Sequence, residues 1–335
     1  MKSAPLRRPL SDSEIEVSIR GLSVSYQTST GLYDAIHDLS LAIHRGSITA
    51  IIGESGSGKS TLAMAMLNSV TFPGQIRMGA IDYADVGDIT GLSAESLRRF
   101  RGEHAAMVFQ ASQDTLNPLK RVGAQLLDMA RSHGHRDRKA ILREGSLLAE
   151  RMSLPASRVM AAYQHELSGG MRQRVSMIFA LALKPRVVLL DEPTTALDVL
   201  SQSHVLQIVR AIHEERHLTT VLITHDMGVV AELSDRVVVM YAGRIMEDAP
   251  SQDLLRAPRH PYAKALIRAI PRLTGPLDRA QALPGAPLEL RQIPVVGCVF
   301  RDRCTLRQSI CDEVTPVLRE VVPGHRTACH LEVES

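Results

Sequence analysis

The sequence predicts an α/β fold with a largely parallel sheet. Three observations carry that prediction: short continuous apolar runs, helix-favouring stretches between several of them, and a glycine-rich turn joining one such run to a helix. The run Ile48 to Ile52 follows the turn at Arg45-Gly46 and has the uninterrupted apolar character of a strand buried on both faces. It ends at Gly53, and residues 59–67 then mix Lys, Ser, Thr, Ala, Met and Leu in a helix-favouring segment. Upstream, Ile15 to Tyr26 reads as extended with turn chemistry at Gly21, and Leu39 to Ile43 as a second strand. Downstream, the strand pattern returns at Ala105 to Phe109, Val187 to Leu190, Thr220 to Ile223 and Val237 to Met240. Between Leu119 and Tyr163 strand signals fade. Ala124 to Ala130 and Lys139 to Met152 favour helix there, which reads as a helical insertion. From Pro271 onward, prolines at 271, 276, 284, 287 and 294 punctuate a stretch of weak periodicity, and a domain boundary is expected there.

At 335 residues, the chain has room for one large domain and a smaller appendage. Apolar residues make up 44% and charged residues 22%, as in ordinary globular proteins. The balance of 39 basic against 36 acidic residues leaves +3, too weak and too dispersed to mark a polyanion-binding surface, so no nucleic-acid partner is expected. No apolar stretch reaches membrane-spanning length, and the opening MKSAPLRRPLSDSEIEV lacks an apolar signal core. The expectation is a cytoplasmic chain.

Two motifs carry chemistry. Gly53-Glu54-Ser55-Gly56-Ser57-Gly58-Lys59-Ser60 fits G-x-x-x-x-G-K-[ST], in which backbone N–H groups and a helix N-terminus surround phosphates. In such a loop Lys59 reaches the β- and γ-phosphates and Ser60 ligates Mg²⁺. Asp191 and Glu192 follow the apolar run Val187 to Leu190, at the strand end where open α/β sheets bind ligands. Asp191 suits a Mg²⁺ shell, and Glu192 the polarisation of an attacking water.

The segment Leu167-Ser168-Gly169-Gly170-Met171-Arg172-Gln173 adds a third element, and with it the sequence resembles the ATP-binding-cassette (ABC) ATPases. Ser-Gly-Gly opening a helix from about Met171 to Leu183 offers bare N–H donors and a positive dipole end to phosphate. Further family elements stand in order: the aromatic Tyr26, Gln110 after a strand, Asp198 in Thr195-Ala196-Leu197-Asp198, and His225 in Thr224-His225-Asp226. Met171-Arg172-Gln173-Arg174, Thr194 to Val199 and His260 to Leu266 narrow the resemblance to the oligopeptide, dipeptide and nickel importer ATPases, over about Ile15 to Cys329.

That resemblance implies a phosphate-loop ABC core with a largely parallel sheet, an antiparallel β subdomain and a helical subdomain, plus a small cysteine-containing C-terminal domain. The implied boundaries are residues 1–270 for the nucleotide-binding domain, with the helical subdomain at about 112–185, and 271–335 for the C-terminal domain. It implies an ATP site of Tyr26, Gly53, Ser55, Gly56, Gly58, Lys59, Ser60, Thr61, Ser168, Gly170 and Asp198. Tyr26 would stack on adenine, Ser168 and Gly170 would meet the γ-phosphate held by an opposite subunit, and Asp198 would communicate across the dimer. Glu192, His225 and Gln110 form the implied catalytic set, with Mg²⁺ held by Ser60, Gln110 and Asp191. Implied partners are a second ABC ATPase, two membrane permease subunits and an extracytoplasmic substrate-binding protein. The chain would sit peripherally on the cytoplasmic face of the inner membrane and touch the permeases through residues 111–121.

All four cysteines lie between Cys298 and Cys329, a clustering that in a reducing compartment suggests a metal or cluster site over disulfides. Cys298, Cys304, Cys311 and Cys329 match the C-terminal pattern of the same importer ATPases, which implies a [4Fe–4S] cluster; tetrahedral Zn²⁺ uses the same ligand set, though the spacing lacks the paired C-x2-C of a zinc ribbon, and unmetallated thiols are the third alternative.

Overall fold

The computed structural model describes residues 14–109, 116–194, 199–269 and 285–331. The chain opens with a long antiparallel pair, β1 (Ile15–Thr28) and β2 (Gly31–His44), and then buries β3 (Ile48–Ile52). Helix α1 (Lys59–Met66), strands β4 (Gly74–Tyr83) and β5 (Gly87–Asp88), helix α2 (Ala94–Glu103) and strand β6 (Ala105–Val108) follow. A helical stretch comes next: α3 (Val122–Ser132), α4 (Arg138–Arg151), α5 (Ala156–Ala161) and α6 (Gly169–Ala182). Strand and helix then alternate through β7 (Val187–Asp191), α7 (Val199–Arg216), β8 (Thr219–Ile223), α8 (Met227–Leu233) and β9 (Arg236–Tyr241). Strand β10 (Arg244–Pro250) precedes α9 (Ser251–Arg256) and α10 (Pro261–Arg268). The C-terminal segment carries α11 (Ile310–Glu313), β11 (Arg319–Val322) and β12 (His325–Thr327).

Among the described residues the strands form two sheets. One is antiparallel, in the order β2-β1-β4-β5. The other runs β11-β12-β10-β9-β3-β8-β7-β6, with the five strands from β9 to β6 parallel and the remaining three added antiparallel at one edge. Every residue of β3, β7 and β8 is buried, which is why these strands read as continuous apolar runs instead of alternating ones. No helix among the described residues is long and apolar enough to cross a membrane.

Three apolar clusters glue the layers. The first joins α3, α4 and α6 to one face of the parallel sheet through Leu126, Leu148, Ile178, Val188 and Leu222. The second packs the antiparallel sheet and α1 onto the other face. The third gathers Tyr241, Met246, Leu254 and Tyr262 with Cys298, Val299, Phe300 and Cys311 of the C-terminal segment.

Several sequence-based expectations gain detail. Gly21 lies inside β1, with φ +57, where the pairing with β2 shifts register between Ile19 and Leu22, so its turn chemistry makes a bulge and the strand continues. Strands β4 and β10 were not marked by apolar runs. Both are amphipathic or charged: β10 buries Glu247 and Asp248 completely, each against a basic partner.

Candidate active site

The site lies where β3, β7 and β8 end. Strand β3 delivers Gly53, whose loop runs so close to β9 that a Cβ there would lie 2.2 Å from the Met240 carbonyl oxygen. The loop closes at Gly58, in the left-handed region at φ +98, where a Cβ would lie 2.8 Å from the Ala35 carbonyl oxygen. Gly58 is also the N-cap of α1 and supplies no capping side chain, so the first-turn N–H groups of that helix face the loop uncapped. An uncapped helix start inside a glycine loop suits an anion.

Lys59 folds back over the loop. Its Nζ donates to the carbonyls of Gly53 at 2.9 Å and Glu54 at 2.8 Å, and to Ser57 Oγ at 3.3 Å. Burial lowers its pKa despite the opposing pull of Glu192, Asp191 and Glu54. Asp191, 3% exposed at the end of β7, has the reverse shift: burial raises its pKa, with the Ser60 hydroxyl and Lys59 opposing. Its Oδ1 is buried without a hydrogen-bond partner. An orphaned carboxylate oxygen beside a serine hydroxyl is a hard oxygen set of the kind Mg²⁺ takes, so these residues fit that ion.

Glu192 takes the next position with its backbone in the left-handed region, at φ +48. For a residue with a side chain that conformation costs about 1–3 kcal/mol and persists only when the surroundings over-determine it. Its N–H donates to the Ile223 carbonyl at 2.9 Å, and its Oε1 meets His225 Nδ1 at 3.1 Å. From α6 the buried Gln173 side chain donates to the carbonyl of Pro193 and, at 3.4 Å, to that of Glu192. Gln173 was legible only as a family marker. A polar residue on an otherwise apolar helix face was the available signal that its amide would be satisfied inside.

Ser168 caps α6, its Oγ accepting from the Met171 N–H at 3.3 Å, and is exposed with the helix start beside it. Tyr26 is half-buried on β1, its hydroxyl 3.5 Å from Thr61 Oγ1 and its ring against Gly74. The structure thus brings Gly53, Gly56, Gly58, Lys59, Ser60, Asp191, Glu192 and His225 into one neighbourhood, with Tyr26 beside Thr61. Gln110 and Asp198 lie outside the described residues.

The expected [4Fe–4S] cluster is not borne out. Among the described residues no group of three or more His, Cys, Asp or Glu side chains is arranged to hold a metal ion, so the Zn²⁺ alternative gains no support either. All four cysteines are free. Cys298 and Cys311 are members of the third apolar cluster. Burial pushes the Cys298 thiol up to about 11 and raises Cys304 and Cys329 too, with neighbouring thiols adding to the rise.

Comparison with known proteins shows the family. Residues 36–195 match the ABC transporter family, and residues 246–311 match the oligopeptide/dipeptide transporter C-terminal region. The chain is 36% identical to the oligopeptide transport ATP-binding protein OppD of Escherichia coli, over 99% of this chain and 97% of that one. It is 35% identical to a putative peptide import ATP-binding protein of Brucella melitensis, over 96% and 97% of the two chains. Among solved structures, a dimeric post-hydrolysis state of the ATP-binding cassette MJ0796 bound to ADP and Pi superposes with a TM-score of 0.61. That match has 25% identity and covers 70% of this chain and 98% of that one. The chain belongs to the ATP-binding proteins of ABC transporters. Its activity is that of an ABC ATPase, and its relatives are ATP-binding subunits of peptide importers.

Proposed function

We propose that this chain is one of a pair of ATPase subunits that power import of peptides, or a related small solute, through separate membrane subunits. The observation that supports it most is the convergence of Lys59, Asp191 and Glu192 on the uncapped start of α1. In this reading Gly53, Ser55, Gly56, Gly58, Lys59 and Thr61 hold the phosphates and Tyr26 stacks on adenine. Lys59 already rests on two loop carbonyls, so phosphate oxygens can exchange for them without moving the loop. Ser60 and Asp191, with Gln110, would hold Mg²⁺, which supplies neutralisation of phosphate charge when bound.

Glu192 takes the proton of, or polarises, the attacking water, while Gln173 holds its strained backbone in place. His225, hydrogen-bonded to Glu192 yet 70% exposed at its side chain, has the reach to contact the γ-phosphate. Ser168, exposed, and the half-buried Gly170 beside it would meet the γ-phosphate bound by a second ATPase subunit, identical or related, with Asp198 communicating between the two. Closure of that dimer on ATP and its reopening on hydrolysis would drive two permease subunits served by an extracytoplasmic binding protein. Within residues 111–121, assigned to permease contact, Leu119 is 85% exposed and is a natural apolar anchor. The chain then works on the cytoplasmic face of the inner membrane. Residues 1–270 are assigned the nucleotide and 271–335 an accessory role.

Pull-down of the tagged chain from solubilised membranes tests the assignment. Recovery of polytopic membrane subunits with it is expected. A chain that hydrolyses ATP but brings down no membrane protein overturns the importer reading.

A further inference from the structure

The phosphate loop is tied to the far end of the chain. Glu54, the residue after Gly53, meets Arg303 in a two-pronged ion pair, Nη1 to Oε2 at 2.6 Å and Nη2 to Oε1 at 3.0 Å, although the two stand 249 residues apart. The Arg303 side chain is only 7% exposed. Its guanidinium also donates to Tyr241 Oη at 3.3 Å and to the Gly285 carbonyl at 3.4 Å, and lies over the rings of Tyr241 and Phe300. On its other side, the Glu54 N–H donates to the hydroxyl of the fully buried Tyr262 at 2.9 Å. Backbone and side chain of Glu54 are therefore both fixed by residues outside the loop, Tyr262 and Arg303, and the Tyr262 ring packs against Phe300.

This arrangement answers an electrostatic problem. Glu54 carries a negative charge on the loop that would take the negatively charged phosphates, and it acts through space on Lys59, whose Nζ its own carbonyl accepts. An uncompensated carboxylate here would repel the nucleotide and compete for the lysine. A planar, two-pronged guanidinium cancels that charge and aims the carboxylate away.

We propose that Arg303 is a positioning residue for the phosphate loop, neutralising and aiming Glu54 so that nucleotide affinity depends on the docked C-terminal segment. The proposal rests on residues 53–60 being the phosphate loop. It touches no phosphate itself.

The test is a double-mutant cycle on the full-length chain, read as binding of a non-hydrolysable ATP analogue by calorimetry. Arg303→Ala should weaken binding by about tenfold, a 1.4 kcal/mol change. Arg303→Lys should recover part of the loss, because it keeps the charge and loses the second prong. In a Glu54→Gln background, where there is no charge to cancel, Arg303→Ala should cost less than about twofold. Equal losses in both backgrounds would mean that Arg303 serves only to dock the tail, and would overturn the proposal. So would unchanged affinity in Arg303→Ala while Lys59→Ala weakens binding. If Lys59→Ala also leaves affinity unchanged, the phosphate-loop assignment itself falls, and the proposal with it. Should Arg303→Ala not fold, Arg303→Met and Arg303→Lys in the same two backgrounds decide between the same outcomes.

Discussion

Glu192 and Asp191 are neighbours in sequence with different physical burdens. Glu192 holds a left-handed backbone, and its carboxylate is partnered by His225. Glu192→Gln should keep ATP binding while turnover falls about a hundredfold or more, since the side chain stays in place and loses its basicity. Steady-state hydrolysis in the intact transporter checks this, and near-normal turnover would remove Glu192 from its role. Asp191 should report on pH instead. Burial holds its carboxyl above the ordinary value of 3.8, so the folded chain binds that proton more tightly than the unfolded chain does. Stability without Mg²⁺ therefore falls as pH rises from that ordinary value through the raised one. Asp191→Asn should abolish the fall: melting without Mg²⁺ near pH 7 should be a few degrees higher than wild type, and the difference should vanish below pH 3.8. A mutant that melts lower at neutral pH would contradict the assignment of the shift to buried charge.

Helix α6 links two parts of the site. Ser168 caps its start, while one turn on Gln173 braces the carbonyls after β7. Gln173→Leu keeps the volume but leaves those carbonyls unsatisfied and the left-handed Glu192 less constrained. Turnover should drop by about tenfold or more with ATP affinity within about threefold, a split between rate and binding that simple unfolding would not produce. Parallel loss of both would point to collapse of the helix packing instead. The element α1 makes the complementary prediction. Gly58→Ala puts a Cβ 2.8 Å from the Ala35 carbonyl at φ +98, so ATP affinity should fall by about tenfold or more. Unchanged affinity on calorimetry would mean that the loop tolerates the strain.

At the scale of the whole molecule, the C-terminal segment is part of the main architecture. Its strands β11 and β12 extend the eight-stranded sheet beyond β10, and His325 pairs with Glu247 at 2.6 Å where both side chains are at most 2% exposed. A chain ending before residue 285 would uncover the β10 edge, strand Glu247 without that partner, and strip Val299 and Phe300 from the third apolar cluster. Such a truncation should aggregate on size exclusion and melt well below the full chain. A monodisperse product with an unchanged melting temperature would show that the segment is an independent appendage. Two of the cysteines take part in the same packing: Cys298 and Cys311 are buried members of the third apolar cluster, with Cys304 packed against it.

By itself, the sequence determined the parallel sheet, the glycine-rich loop and the carboxylate pair, because each depends on contiguous residues. A strand buried on both faces must read as an apolar run, and a loop that wraps phosphate must carry glycines at set spacing. The strands β4 and β11 were hidden because half-exposed strands need no such run, β10 because two of its buried positions are the charged Glu247 and Asp248, and β12 because it is three residues long. Tertiary structure alone decided which distant residues meet: Gln173 beneath Glu192, Arg303 on Glu54, His325 on Glu247. It also set aside the metal reading of the cysteines, which spacing in the chain favoured and the arrangement in space did not. The reason is physical: a pairing between residues on separate elements of the chain is selected by burial, hydrogen bonding and charge compensation in the folded state, and no local pattern encodes it.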